Sequence, residues 1–252
     1  MGANIHPGVI SSRQNRWFQR FRHAIEAAET EIVLEGPKAV ADAIAKDWSP
    51  LAVAIEDGVE FDVHEAPAIR LDRSLFRRLS DTSTSQGVLG LFERRESSIA
   101  DLLRPPADGI VIALDGNQDP GNAGTIVRLA AAFSARGVVA LPGTANLWGP
   151  KAIRSSAGAI LNTAVARSDA EEMLKNAREH GWRLVCAGTR DGSAEVDLRG
   201  AILVLGAEGR GVSKFMATRG ESISIAMSDR VESLNVAAAA AILLSREFEK
   251  RR

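Results

Sequence analysis

The chain holds one cysteine, Cys186, among 252 residues, and no tyrosine at all. A single thiol excludes an intrachain disulfide and a cysteine-built zinc site, and His6, His23, His64 and His180 are scattered without ligand spacing, so no metal site is expected. Long apolar runs are missing too. None reaches the length of a membrane span, and the opening MGANIHPGVISSRQNRW lacks the apolar centre of a signal peptide, which predicts a cytoplasmic chain with no membrane contact. Neither sign of charge dominates, with 31 Lys and Arg against 32 Asp and Glu. The balance hides an uneven spread: Arg13, Arg16, Arg20 and Arg22 crowd the first turns, whereas DAEEMLKNARE at 169–179 leans acidic, so near-neutrality does not exclude a nucleic-acid partner. At 45% hydrophobic and 25% charged residues, the composition is that of a folded globular protein.

What is present reads as two αβ halves. SSRQNRWFQRFRHAIEAAE has Trp17, Phe18, Phe21 and Ile25 at helical spacing. EIVLEG, LAVAIED and GVLGLFER read as strands, with PKAVADAIAK and SLFRRLSD as helices between them. The Pro-Pro pair and polar clusters of RRESSIADLLRPPADG mark a boundary, giving a domain at 1–95, a linker at 96–108 and a second domain at 109–252. In that second half GIVIALDG, GVVALPG, NTAVAR, RLVCAGT, AILVLGAE and SISIAMS read as strands. The helices among them are TIVRLAAAFSA, KAIRSSAGAIL and EEMLKNAREHG. Strands alternating with helices predict a mostly parallel sheet covered on both faces, with its ligand at the carboxyl edge of the strands.

Three segments at that edge carry unusual residues. DPGNAGT, from Asp119 to Thr125, joins a strand to a helix as a phosphate cradle does. It is neither G-x-G-x-x-G nor a Gly-Lys-Ser/Thr loop, however, and no ribose-binding acid ends the next strand, which argues against a nicotinamide enzyme. One turn further on, Arg128 interrupts an apolar helix; on spacing alone it is either solvated or aimed at a ligand. LGAEGRG supplies glycines at 206, 209 and 211, which permit close backbone approach to a flat ligand, and a lone Glu208 that caps a turn, pairs with Arg210 or serves a site. Before the alanine run at 237–241 stand Ser233 and Asn235, of which a helix N-cap needs only one.

DPGNAGTIVRLAAAFSA, LVLGAEGRGVS and ISIAMSDRVESLNVAAAAAILL together resemble, in order and separation, the three motifs of the SpoU/TrmH family of RNA ribose 2′-O-methyltransferases. ISSRQNRWFQRF, EIVLEGPKAVADAI and DTSTSQGVLGLF resemble that family's N-terminal substrate-binding domain, though more weakly. The resemblance implies an α/β fold in two parts: a parallel-sheet domain tied in a deep trefoil knot, and a smaller N-terminal α/β sandwich that binds RNA. It implies S-adenosylmethionine as cofactor and a homodimer. Ribosomal RNA is favoured over transfer RNA as partner, because compact transfer-RNA members generally lack the first domain. Residue by residue, it assigns catalysis to Arg128, Asn122, Glu208, Ser233 and Asn235. Thr189, Leu205, Gly206, Gly209, Gly211, Ile225 and Met227 would bind the cofactor, together with Ser233, Leu234, Asn235 and Ala237. Lys151, Arg154 and Ser155, and less directly Arg13, Arg16 and Arg20, would meet RNA phosphates.

Arginine is protonated at any ordinary pH, so Arg128 fits phosphate clamping and alkoxide stabilisation better than proton abstraction. Two positions depart from the family pattern: Ala226 stands where proline is usual, and Ser134 where a helix commonly ends in glycine. The absence of tyrosine leaves Trp, Phe, His and Arg for any base stacking. A transfer-RNA methyltransferase, an assembly factor that keeps the fold without the chemistry, and a nucleotide-dependent oxidoreductase remain open at this point. The target nucleotide is not written in the sequence.

Overall fold

The structure, a computed structural model, describes residues 5–63, 66–82, 84–188, 192–193 and 195–250. The chain divides into two compact units: one runs to Arg95 and includes Trp148–Arg154, and the other comprises Glu96–Leu147 and the chain from Ser155 onward.

The first unit is a mixed five-stranded sheet in the order β1-β4-β3-β5-β2. Its strands are β1 (Ile5–Ile10), β2 (Glu31–Glu35), β3 (Pro50–Glu56), β4 (Ala68–Leu71) and β5 (Val88–Glu93). Helices α1 (Arg16–Glu26), α2 (Pro37–Ile44) and α3 (Arg73–Leu79) connect them. Asn15 caps α1 by accepting the Trp17 N–H at 2.8 Å, and the helical spacing of Phe18, Phe21 and Ala24 buries one face with Ile69, Leu71 and Phe76. Strands β1 and β4 were not legible in the sequence: IHPGVI is broken by Pro-Gly and shifts register between Ile5 and Val9, and AIRL is only four residues long. Trp148, carried by the later segment, packs its ring 6.1 Å from that of Trp48 within this unit.

The second unit is an all-parallel six-stranded sheet, ordered β11-β9-β10-β6-β7-β8. The strands are β6 (Ile110–Asp115), β7 (Gly137–Ala140), β8 (Ala164–Arg167), β9 (Arg183–Ala187), β10 (Ala201–Gly206) and β11 (Glu221–Ile223). Every residue of β6 and β7 is buried, as expected of strands covered on both faces. The stretch 96–108, expected as a linker, belongs to this unit, because α4 (Ile99–Leu103) buries Ile99, Leu102 and Leu103 in its core. Helices α5 (Pro120–Ala132), α7 (Ala170–Glu179), α8 (Lys214–Ala217) and α9 (Val236–Lys250) complete this unit, while α6 (Pro150–Ser155) belongs, as far as Arg154, to the first.

Three local expectations change. Helix α5 starts at Pro120, capped by Asp119 Oδ1 on the Gly121 N–H at 3.0 Å, so Asn122 lies in the first helical turn and not in a loop. KAIRSSAGAIL is not one helix: Gly158 is left-handed, and a 3-10 turn at Ala159–Leu161 follows it. SISIAMS is a strand only as far as Ile223: its partner β9 ends at Ala187, and beyond it the described backbone pairs only through Gly188 N–H to Ile223 O at 2.8 Å and an isolated bridge to Ser193.

Candidate active site

The carboxyl ends of β10 and β6 set the frame. After β10 the chain makes a tight turn closed by two backbone hydrogen bonds, Ala207 N–H to Gly211 O at 3.1 Å and Gly211 N–H to Ala207 O at 2.8 Å. Gly209 and Gly211 adopt φ of +79° and +70°, which glycine reaches without strain. Gly206 is required for a different reason, because a Cβ there would lie 2.0 Å from the Gly211 carbonyl carbon. Just beyond the turn, Ser213 N–H donates to Asp115 Oδ2 at 2.7 Å, tying the turn to the end of β6.

Beside this turn is a cavity of about 210 Å³. Leu205, Ile225, Met227 and Leu234 form apolar walls, Gly206, Gly209 and Gly211 present backbone, and Ser233 and Glu208 add polar groups. These are residues the sequence singled out. Helix α9 contributes Val236, Ala239 and Leu243, which the sequence reading missed although their i, i+3, i+7 spacing on a known helix carries the signal. Asn235 and Ala237, expected here, do not line the cavity: Asn235 is occupied as the cap of α9, and Ala237 is turned into the core at 7% exposure. Thr189 lies outside the described residues.

Three predicted polar residues meet at the rim. Asn235 Oδ1 accepts the N–H groups of Ala237 and Ala238 at 2.9 and 3.3 Å, which makes it the N-cap and releases Ser233 from that duty. Its amide nitrogen donates to Asn122 Oδ1 at 3.1 Å, and Asn122 Nδ2 in turn donates to Glu208. The result is a directional chain from the start of α9, through the first turn of α5, to the carboxylate of the 207–211 turn. The alanine run serves close packing: α9 packs against α5 and β10, Ala237 and Ala240 are buried, and Ala239 faces the cavity.

The other expected residues are not among those that line the cavity. Arg128 is exposed on α5 and is not among the cavity's lining residues, with no side-chain hydrogen bond or ion pair among the described residues; Asn122 holds Glu208 and Asn235 and not Arg128. In the first unit Arg13 and Arg16 are exposed, and Arg16 sits 5.7 Å from the Trp17 ring. Arg20 forms an ion pair with Glu31 at 2.5 Å, and that hydrogen bond raises its pKa further. Arg154, on α6 with Lys151 and Ser155, pairs with Asp81. The two ion pairs reduce the free charge expected of a basic track. Among the described residues no three His, Cys, Asp or Glu side chains come together as a metal site, and no helix is long and apolar enough to cross a membrane.

A parallel sheet with a glycine-cradled apolar cavity at its carboxyl edge, rimmed by an amide and carboxylate chain, defines a ligand-binding α/β protein suited to a flat, mainly apolar ligand. The chain belongs to the SpoU rRNA methylase family, whose model matches residues 109–245. Membership makes it an RNA methyltransferase by class. A Mycolicibacterium smegmatis protein described as an uncharacterized tRNA/rRNA methyltransferase is 31% identical over 237 residues, covering 84% of this chain and 73% of its own length. The Bacillus subtilis 23S rRNA (guanosine(2553)-2′-O)-methyltransferase RlmP is 25% identical over 211 residues, 82% of this chain and 78% of that one. Two solved structures share the fold. The AdoMet-bound rRNA methyltransferase of Sinorhizobium meliloti has a TM-score of 0.84 at 24% identity over 99% of both chains. The SpoU methyltransferase AviRb of Streptomyces viridochromogenes has a TM-score of 0.82 at 20% identity, covering 94% of this chain and 98% of its own.

Proposed function

We propose that this chain methylates a ribose 2′-hydroxyl of ribosomal RNA in the cytoplasm, using S-adenosylmethionine. The observation that carries the reading is the Asn235, Asn122 and Glu208 chain on the rim of a cavity whose glycine backbone and apolar walls suit a nucleoside. The fit is chemical: Gly206 and its turn leave backbone amides and carbonyls free of side chains, and Leu205, Ile225, Met227 and Leu234 offer a surface for a purine. When bound, the cofactor supplies a methyl carbon made electrophilic by its sulfonium.

The protein's own task is alignment. Glu208, held by Asn122, orients the ribose at the cavity mouth, and Ser233 with Leu234 closes one side. Arg128 approaches from α5 to clamp the adjoining phosphate and stabilise the alkoxide as it develops. Arg13, Arg16, Lys151, Arg154 and Ser155 extend phosphate contacts, with Arg20 and Arg154 shared between RNA and their carboxylate partners. The segment through 95 serves as the RNA-binding domain, the catalytic domain is threaded as a trefoil knot, and the active form is a homodimer.

The test is Arg128→Ala. Transfer of label from tritiated donor to deproteinised ribosomal RNA falls about 10²- to 10³-fold, the loss expected for one charge-stabilising donor, while donor affinity measured by calorimetry stays within about twofold. Retained transfer overturns the assignment, and parallel assays with transfer RNA decide the substrate class.

A further inference from the structure

Glu208 and Arg210 flank Gly209 at the tip of the same turn and have different surroundings. Glu208 is taken by Asn122. The guanidinium of Arg210 lies against Gly116, the first residue after β6, where an added Cβ would stand 2.6 Å from its Nη2. Gly116 already needs glycine for its φ of +76°, and the missing side chain also leaves the arginine its berth. Arg210 lines the cavity mouth, is exposed, and has no hydrogen bond or ion pair among the described residues. Of the nearby carboxylates, Glu208 is engaged by Asn122 and Asp115 by the Ser213 N–H, while Glu232, which lines the same cavity, forms no ion pair with Arg210. A permanent cation, seated by shape on a tied-down turn at the cavity and without an ion pair among the described residues, is arranged to receive an oxyanion from outside the protein.

We propose that Arg210 is a second phosphate clamp, gripping an RNA phosphodiester next to the target ribose; the inference rests on the methyl-transfer reading. Two oxyanions would satisfy the guanidinium, an RNA phosphate and the carboxylate of the methyl donor. The lean of the side chain toward the end of β6, and not into the apolar wall of the cavity, favours the phosphate.

The test compares the full-length protein with Arg210→Ala and Arg210→Lys. Affinity for a labelled 20-nucleotide mixed-sequence single-stranded RNA is measured without donor across a potassium chloride series, and S-adenosylmethionine affinity by calorimetry. Loss of one phosphate contact lowers the slope of log affinity against log salt by about 0.7, and Arg210→Ala weakens RNA binding about tenfold at low salt, with donor affinity within about twofold. Arg210→Lys restores the slope but only part of the affinity, because the two-pronged grip is gone. An unchanged slope and RNA affinity overturns the proposal. So does a roughly tenfold loss of donor affinity with RNA binding intact, which assigns the arginine to the donor carboxylate. A wild-type chain that shows the Arg210-dependent slope but transfers no methyl group sinks the methyl-transfer reading and leaves the clamp standing.

Discussion

Asn122 accepts a hydrogen bond from Asn235 at 3.1 Å and passes one on to Glu208, so the cap of the last helix and the carboxylate of the glycine turn are oriented by one amide. The amide does both jobs because it carries an acceptor and a donor on one planar group. Asn122→Asp keeps the acceptor and replaces the donor with a carboxylate facing Glu208. Losing a hydrogen bond to a charged group, worth about 1.5–3 kcal/mol, predicts a 10- to 100-fold fall in kcat. Steady-state kinetics with ribosomal RNA check this; an unaltered kcat would mean that Glu208 needs no orientation.

Asn235 has a second duty that separates stability from activity. Asn235→Ala removes the cap of α9, a loss of about 1 kcal/mol, and lowers Tm by roughly 2–4 °C. Calorimetric melting checks the shift. Asn235→Asp restores the cap and the melting temperature but not the donation to Asn122, so its activity stays low if the chain matters to catalysis.

The turn behind Gly206 has no room to give. An alanine Cβ at 206 would meet backbone atoms, the Gly211 carbonyl carbon at 2.0 Å and Val212 N at 2.1 Å, so Gly206→Ala forces the 207–211 turn open. Donor affinity is expected to fall by at least about tenfold in calorimetry. Gly209→Ala is the contrast: nothing lies within 4 Å of its added Cβ, and only its positive φ is penalised, by about 1 kcal/mol. Equal effects from the two variants would mean that the turn closure is irrelevant to binding.

Cys186 is predicted to be inert. Burial, and then the charge of Asp115, push its thiol up to about 11, and its Sγ–H donates to Met216 O at 3.6 Å. Because the thiolate is the nucleophile, iodoacetamide at pH 8 labels the folded protein far more slowly than the urea-unfolded chain. The folded thiol holds its proton more tightly than the unfolded one, so its contribution to stability is present below the ordinary value of 9.0 and is lost as pH rises toward 11. Melting temperatures from pH 8 to 11 should show this decline, and Cys186→Ala should lack that component.

Much of this site was legible because its chemistry is local. Glycines at 206, 209 and 211 and a carboxylate at 208 declare a backbone turn whatever surrounds them. The central parallel strands were equally plain, since β6 and β10 open with the apolar runs IVIAL and AILVL. Placement across the fold was harder to read. Nothing local tells that Asn235 and not Ser233 takes the cap, that Asn122 turns to Glu208 and not toward Arg128, or that α9 offers Val236, Ala239 and Leu243 to the cavity. Those outcomes depend on how α5 and α9 pack, a long-range relationship. Strands β1, β4 and the truncated β11 failed for the same reason: β1 is broken by Pro-Gly and β4 and β11 are short, so the existence of each depends on a partner distant in sequence.

Ser134 shows a departure from a family pattern turning into a measurable strain. Helix α5 ends in a left-handed cap in which Ala135 N–H bonds Ala130 O at 2.8 Å and Ser134 N–H reaches Ala131 O at 3.3 Å, with Ser134 at φ +55°. That is the position where glycine is favoured, because a Cβ crowds the backbone there. Both cap hydrogen bonds survive replacement, so Ser134→Gly relieves the left-handed penalty at the cost of a more flexible unfolded chain. The net is a gain of about 0.5–1 kcal/mol, seen as a Tm higher by roughly 1–4 °C, with methyl transfer unchanged because the residue lies at the far end of α5 from Asn122. A lower melting temperature for Ser134→Gly would show that the serine side chain contributes more at this cap than its backbone strain costs.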